Sequence, residues 1–273
     1  MRKKNFYKKK AFELRQKLLS LVIENGGHLS TSLSCLDIMV ALYYGKIIRF
    51  KASAPNWINR DRFLISKGHA ETITYLTLKE LGFISETMLS KHYRKGKFKL
   101  GGHIDCSVPG IEFSTGSLGH GLNLACGTAL GLKKKKNKSF TFVLMSDGEC
   151  TEGTVWEAAI FAKFHKLNNL IAIIDYNNIS ATDFTKNFTS NTNLVDKFKS
   201  FGWKTFSVDG HNIDQMIKKF NKIKSQNLSS PVLILAKTIK GKGIKFIEND
   251  PARHTKGLNN NEIKKAKKIL KLL

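Results

Sequence analysis

Apolar runs of strand length alternate along this chain with stretches of helical period. Phe140 to Met145 and Leu170 to Ile174 are short, rich in β-branched and aromatic residues, and patterned like strands buried on both faces. Between them, Val155 to Lys166 is Ala-rich with helical apolar spacing, and Thr154 with Glu157 fits a capping box at its start. Strand, helix, strand predicts a parallel βαβ unit with a right-handed crossover. Arg62 to Ser66, Trp203 to Val208 and Val232 to Ala236 read as further strands.

Helical spacing links Leu14, Leu18, Leu21 and Val22 up to a stop at Asn25-Gly26-Gly27. A second helix is expected from about Leu36 to Tyr44, opened by Ser34 and Asp37 and ended by Gly45. Lys67-Gly68-His69 leads into a helix ending near Gly82, and Lys95 to Gly110 reads as an irregular loop. Leu122 to Leu132 reads as a helix in which Gly127 and Gly131 suggest close packing. Asp214 to Lys224 is a basic helix, and a short amphipathic one follows from about Asn261. The expected fold is one α/β domain, a mostly parallel sheet with helices on both faces. It is expected over 11–258, after a basic segment at 1–10 and before a lysine-rich helix at 259–273.

Both strands of the central unit end in chemistry. The first stops at Ser146-Asp147-Gly148-Glu149 and the second at Asp175-Tyr176-Asn177-Asn178. In a parallel unit both ends fall on one rim, where open α/β sheets bind ligands. Asp147 offers a carboxylate and Asn177 an amide oxygen, both suited to Mg²⁺ or Ca²⁺, and Gly148 would let backbone N–H groups approach a phosphate. A cation with a diphosphate is the expected occupant. The competing reading takes Asp-Gly as a turn and Asn-Asn as a loop.

Charge and cysteines narrow the classes. With 46 basic and 21 acidic side chains the formal charge is +25. The lysines are scattered over helix faces and loops, which favours solvated faces over a nucleic-acid site; attraction of phosphorylated substrates or an acidic partner is a third use. The four cysteines form no CxxC pair, against zinc and against a disulfide framework. No apolar run approaches the ~20 residues needed to span a bilayer, so no membrane partner is expected. The basic Met1 to Lys10 lacks a following secretory apolar region, and a cytoplasmic location is expected.

Five of the eight histidines directly follow glycine: His28, His69, His103, His120 and His211. Composition alone predicts roughly 0.6 such pairs. Glycine permits tight backbone approach to a ligand while the ring supplies a donor, an acceptor or a titrating proton.

The order Gly27-His28, Ser66-Lys67-Gly68-His69-Ala70, Gly102-His103, Thr115-Gly116-Ser117-Leu118-Gly119, Ser146-Asp147-Gly148, Asn177 and Lys237-Thr-Ile-Lys240-Gly-Lys-Gly243 resembles the transketolase family of thiamine-diphosphate enzymes. The likeness covers about residues 10–258. Deoxyxylulose-phosphate synthase is a related reading, but Ser-Lys-Gly-His-Ala fits transketolase better. The resemblance implies thiamine diphosphate with Mg²⁺ (or Ca²⁺) as cofactors, and Asp147, Asn177 and the Ile179 carbonyl as metal ligands. By it, His69, Gly148, Lys240 and His254 would lie near the diphosphate, and Gly116, Ser117 and Leu118 near the aminopyrimidine. His28, His103 and His254 would line the substrate channel, and Glu152 and Glu157 would join a carboxylate network at an interface between protomers.

The sequence departs from the family at Ser146, where Gly is usual, and at His120, where Gln is common. In the family, the glutamate that activates the cofactor lies on a pyrimidine-binding domain, which this chain does not contain. The chain therefore resembles the N-terminal subunit of a split transketolase. The implied reaction is transfer of a two-carbon ketol unit from a ketose phosphate to an aldose acceptor. The implied partners are a C-terminal transketolase subunit and, by self-association, further copies of this chain. The rival readings are an enzyme of unusual-sugar biosynthesis and a basic nucleic-acid-binding or scaffold protein without turnover.

Overall fold

The computed structural model describes residues 2–94, 100–181, 183–187, 189 and 193–272. The helices are α1 (Arg2–Asn25), α2 (Leu29–Tyr43), α3 (Glu71–Glu80), α4 (Glu86–His92), α5 (His120–Lys134), α6 (Gly153–Phe164), α7 (Leu194–Ser200), α8 (Ile213–Ser225) and α9 (Asn260–Ile269). The strands are β1 (Arg62–Ile65), β2 (Thr141–Ser146), β3 (Leu170–Tyr176), the short antiparallel pair β4 (Ile179–Ser180) and β5 (Asp183–Phe184), β6 (Lys204–Asp209) and β7 (Val232–Lys237).

The main sheet has the order β1-β2-β3-β7-β6, and all its pairings are parallel. Alternate strand residues serve two cores, as the pleat requires. Phe142, Leu144, Ile171, Ile173 and Ile234 meet α1, α2, α3, α8 and α9 on one face. Val143, Met145, Ala172, Ile174 and Leu233 meet α5, α6 and α7 on the other. Because both faces are covered, the central strands read as continuous apolar runs. All strand ends that carry polar motifs point to one rim.

Three local expectations are corrected. The second helix starts at Leu29 and all of it is buried, so its Ser/Thr-rich opening turns are helix rather than an approach to one. Ser34 and Asp37 do not cap it: Ser34 Oγ donates to Asp175 Oδ1 at 2.8 Å, and Asp37 pairs with Arg15. Thr154 and Glu157 form no capping box. Glu152 is the N-cap of α6 and makes no side-chain cap, while Thr154 Oγ1 donates to the Gly119 carbonyl at 3.0 Å. A Cβ on Gly127 or Gly131 would meet nothing within 4 Å, so close packing does not explain them among the described residues. Of the expected loop, Lys95 to Lys99 lie outside the described residues. The C-terminal helix packs back on the first, where Gln16 Nε2 donates to the Leu270 carbonyl at 2.7 Å.

Candidate active site

Four strand ends and two helix starts converge on one cavity of about 170 Å³. His28, His69, His103, Gly116, Leu118, Asn177, Ile179, Lys240 and His254 line it, with Lys67 and Ser146. His28 stands immediately before α2, and His69 lies in the tight turn that joins β1 to α3. The His69 and His254 ring centres are 5.1 Å apart, and His28 lies 6.1 Å from the first and 5.9 Å from the second. Of the five Gly-His pairs, three reach this cavity. His120 is exposed, and His211 is used structurally, its Nδ1 donating to Asp37 at 2.8 Å while its Nε2 accepts from the Ile239 amide at 2.8 Å.

Below the histidines lies a buried polar layer. Lys67, at the end of β1, is ion-paired with Asp175 on β3, both with side chains at most 1% exposed. Asp175 also receives Thr238 Oγ1 and Ser34 Oγ, and Ser34 in turn accepts from Asn177 Nδ2 at 3.1 Å. This network turns the Asn177 amide so that its Nδ2 faces Ser34 and leaves Oδ1 on the other side, where it accepts from the Ile179 amide at 3.0 Å. Burial opposes ionisation of Asp175, but the Lys67 ammonium holds its carboxyl below the usual range.

Asp147 is 3% exposed and accepts from the Asn178 amide at 2.6 Å and the Gly148 amide at 3.0 Å. Burial, with the Asp175 charge, pushes its carboxyl up to about 7. A carboxylate so placed would be favoured by a neighbouring cation. Asn178 reaches it by adopting φ 62°, a left-handed conformation that asparagine tolerates. Gly148 is required by space: a Cβ there would collide with the Ser180 side chain.

Cationic groups line the opposite side. Lys240 is 2% exposed, and burial with the Lys67 charge lowers it to about 8. Its ammonium donates to His254 Nδ1 at 2.9 Å. Burial and Lys240 lower His254 to about 4, and burial and Lys67 hold His69 well below its ordinary value, so both rings are neutral at physiological pH.

Residues 16–272 match the family model described as transketolase, thiamine diphosphate binding domain. The chain belongs to the transketolase family. It is 38% identical over 235 residues to one subunit of an apulose-4-phosphate transketolase from Phocaeicola vulgatus, covering 86% of this chain and 83% of the relative. A 6-deoxy-6-sulfo-D-fructose transketolase subunit from a Clostridium species is 36% identical, covering 84% of this chain and 82% of the relative. Mouse transketolase is 39% identical over 86% of this chain, which spans only 37% of that protein's length. The transketolase structure from Campylobacter jejuni superposes with a TM-score of 0.90 at 32% identity, covering 98% of this chain and 43% of that one.

The transketolase domain's donor set fits a diphosphate with a hard cation: a buried carboxylate, an oriented amide oxygen, buried ammonium groups and neutral imidazoles. Several carried-over residues fall outside the cavity lining. Ser117 is exposed, Asp147 and Gly148 are buried, and Glu152, the N-cap of α6, and Glu157, on that helix, are exposed. Ser146 is buried and tied into the turn, its Oγ accepting from the Glu149 amide at 3.2 Å.

Four residues of the site carry no separate signal in the sequence. Lys67 is visible there only as one position of a longer motif, and Asp175 stands two before Asn177, a spacing that marks it once the strand end is known. Glu149 is fully buried and receives Ser66 Oγ, the Gly119 amide at 2.9 Å and the Ser146 amide at 3.2 Å, tying three loops together. Glu71 sits behind His28 at the start of α3.

Proposed function

We propose that this chain is the diphosphate-binding subunit of a two-chain transketolase. It holds thiamine diphosphate through Mg²⁺ and, with a C-terminal subunit, moves a two-carbon ketol unit from a ketose phosphate to an aldose acceptor in the cytoplasm. The observation that carries the reading is the pair of strand ends: Asp147 buried and raised toward neutrality, with Asn177 turned by Ser34 on the same rim. Asp147, Asn177 and the Ile179 carbonyl would hold the cation, and Lys240, His69 and Gly148 would meet the diphosphate. Bound there, the cofactor would supply the nucleophilic carbon that ketol transfer needs. His28, His103 and His254 would orient the sugar's oxygens and move protons between them.

Partner dependence rests on size and on the relatives. A cavity of about 170 Å³ is well below the 300–1,000 Å³ usual for a site that buries a whole small ligand, which supports a site completed by a second chain. Two relatives matched over most of their length are named as subunits, whereas this chain spans 37% of mouse transketolase. Those two relatives are named for sugars bearing a phosphate or a sulfo group, which supports an anionic ketose as donor.

The test is calorimetric titration of thiamine diphosphate with Mg²⁺ into the chain, alone and with a pyrimidine-binding transketolase subunit recovered by copurification from the same cells. Tight binding and ketol transfer that both require the second chain support the reading. Full ketol transfer by the isolated chain would end the partner requirement, and absence of Mg²⁺-dependent binding in both samples would end the assignment.

A further inference from the structure

Glu71 is fully buried, yet it is placed directly behind a histidine that lines the cavity. His28 Nδ1 lies 3.1 Å from each of its two carboxylate oxygens. Three other donors close on Oε1: Thr72 Oγ1 at 3.1 Å, Arg94 Nη1 at 3.2 Å and Tyr93 Oη at 3.4 Å. A carboxylate beside a guanidinium accepts, so the ring nitrogen facing it must carry the proton. The neutral ring of His28 then has Nδ1–H toward Glu71 and a lone pair on Nε2.

The neighbouring imidazole is set the other way. His254 Nδ1 receives the Lys240 ammonium at 2.9 Å and acts as an acceptor, which places that ring's proton on Nε2. The two ring centres are 5.9 Å apart on the same cavity. His69 lies 6.1 Å from His28 and belongs to the same cluster.

We infer that Glu71 is a positioning residue that fixes the tautomer of His28, so that the site offers one imidazole acceptor and, from His254, one imidazole donor. Such a pair recognises a hydroxyl, which donates to His28 Nε2, next to a carbonyl or second hydroxyl oxygen, which accepts from His254 Nε2–H. Adjacent oxygens of these two kinds are what a hydroxyketone presents. The inference rests on reading this cavity as the sugar channel, and it sharpens that reading. Two imidazole donors would serve a ketol less well, because its hydroxyl proton would have no ring acceptor. A purely structural Glu71 would serve Thr72, Tyr93 and Arg94 alone and leave the imidazole free to choose its tautomer.

The experiment labels the histidines of the full chain with ¹⁵N and records long-range ¹H–¹⁵N correlations, with His28 assigned by the signals lost in His28→Asn. The wild type is expected to show a protonated Nδ1 and a bare Nε2 for His28. In Glu71→Gln, the oxygen stays with Arg94 and the amide donates to His28, so the two nitrogen shifts should exchange. Glu71→Ala should give a mixture. A wild-type His28 protonated on Nε2 would overturn the inference without any variant, as would an unchanged pattern in both folded variants. Titrating thiamine diphosphate with Mg²⁺ and the partner subunit into the same samples separates the two claims. Loss of cofactor binding in the wild type would fail the functional reading, while the His28 pattern by itself decides the role of Glu71.

Discussion

The Lys67 ammonium, at the end of β1, is paired with the Asp175 carboxylate on β3 in a layer from which solvent is excluded. The pair is more than a strut. Through Ser34 its carboxylate sets the direction of the Asn177 amide, so Asp175, absent from the cavity lining, governs a group that faces it.

Removing one member leaves a buried charge without compensation. Lys67→Met is expected to lower unfolding free energy by about 3–5 kcal/mol in urea denaturation. Adding Asp175→Asn should recover more than half of that loss, because the amide still serves Ser34 without needing a countercharge. Equal instability of the single and double variants would show that the packing of Lys67, and not its charge, is what matters.

Asp147 stands in the opposite situation, since its carboxyl is raised to about 7 from the ordinary 3.8. Between those values the folded state binds more protons, so metal-free stability falls as pH rises through the window and stays reduced above it. At pH 8, Asp147→Asn should leave the metal-free melting temperature unchanged or raise it, by on the order of 1 kcal/mol in free energy. The same variant should lose Mg²⁺-dependent cofactor binding. Thermal melts with and without Mg²⁺ check both, and a lower metal-free melting temperature would contradict the argument.

Lys240 gives a pH dependence of its own, with its amine lowered to about 8 from 10.5. Burial of the ammonium disfavours folding below pH 8, where folded and unfolded states are both protonated, and that effect is relieved as pH rises from 8 toward 10.5. Anion binding follows the charge. Affinity for inorganic pyrophosphate with Mg²⁺ should decline as pH rises through about 8, and Lys240→Met should weaken it at pH 7 by roughly tenfold or more and remove the decline. Isothermal titrations at pH 7, 8 and 9 would show this.

Gly127 lies inside α5 with open space where a side chain would stand. Gly127→Ala should stabilise the isolated chain by about 0.8–1.0 kcal/mol, the difference in helix propensity. A decrease in a thermal melt would reveal a contact that the isolated chain does not show.

Much of this domain is local in origin, and the sequence by itself determined that part. The runs of apolar residues placed β1, β2, β3 and β7 because a strand buried on both faces must be apolar throughout, whereas β6 is a largely uncovered edge strand with polar residues between its apolar ones. The βαβ rule then brought Asp147 and Asn177 to one rim, and the motif order carried the family. Only the tertiary structure decided the rest. Lys67 and Asp175 are 108 positions apart, His28 and Glu71 are 43 apart, and no periodicity links them. The opening of α2 departs from its local pattern for the same reason: Ser and Thr favour caps, but here Ser30 donates to the Arg253 carbonyl and Ser34 to Asp175, both on other elements. A buried charge is tolerated only where its counterpart arrives from another element, so such pairs are settled by packing and become visible only when the chain has folded.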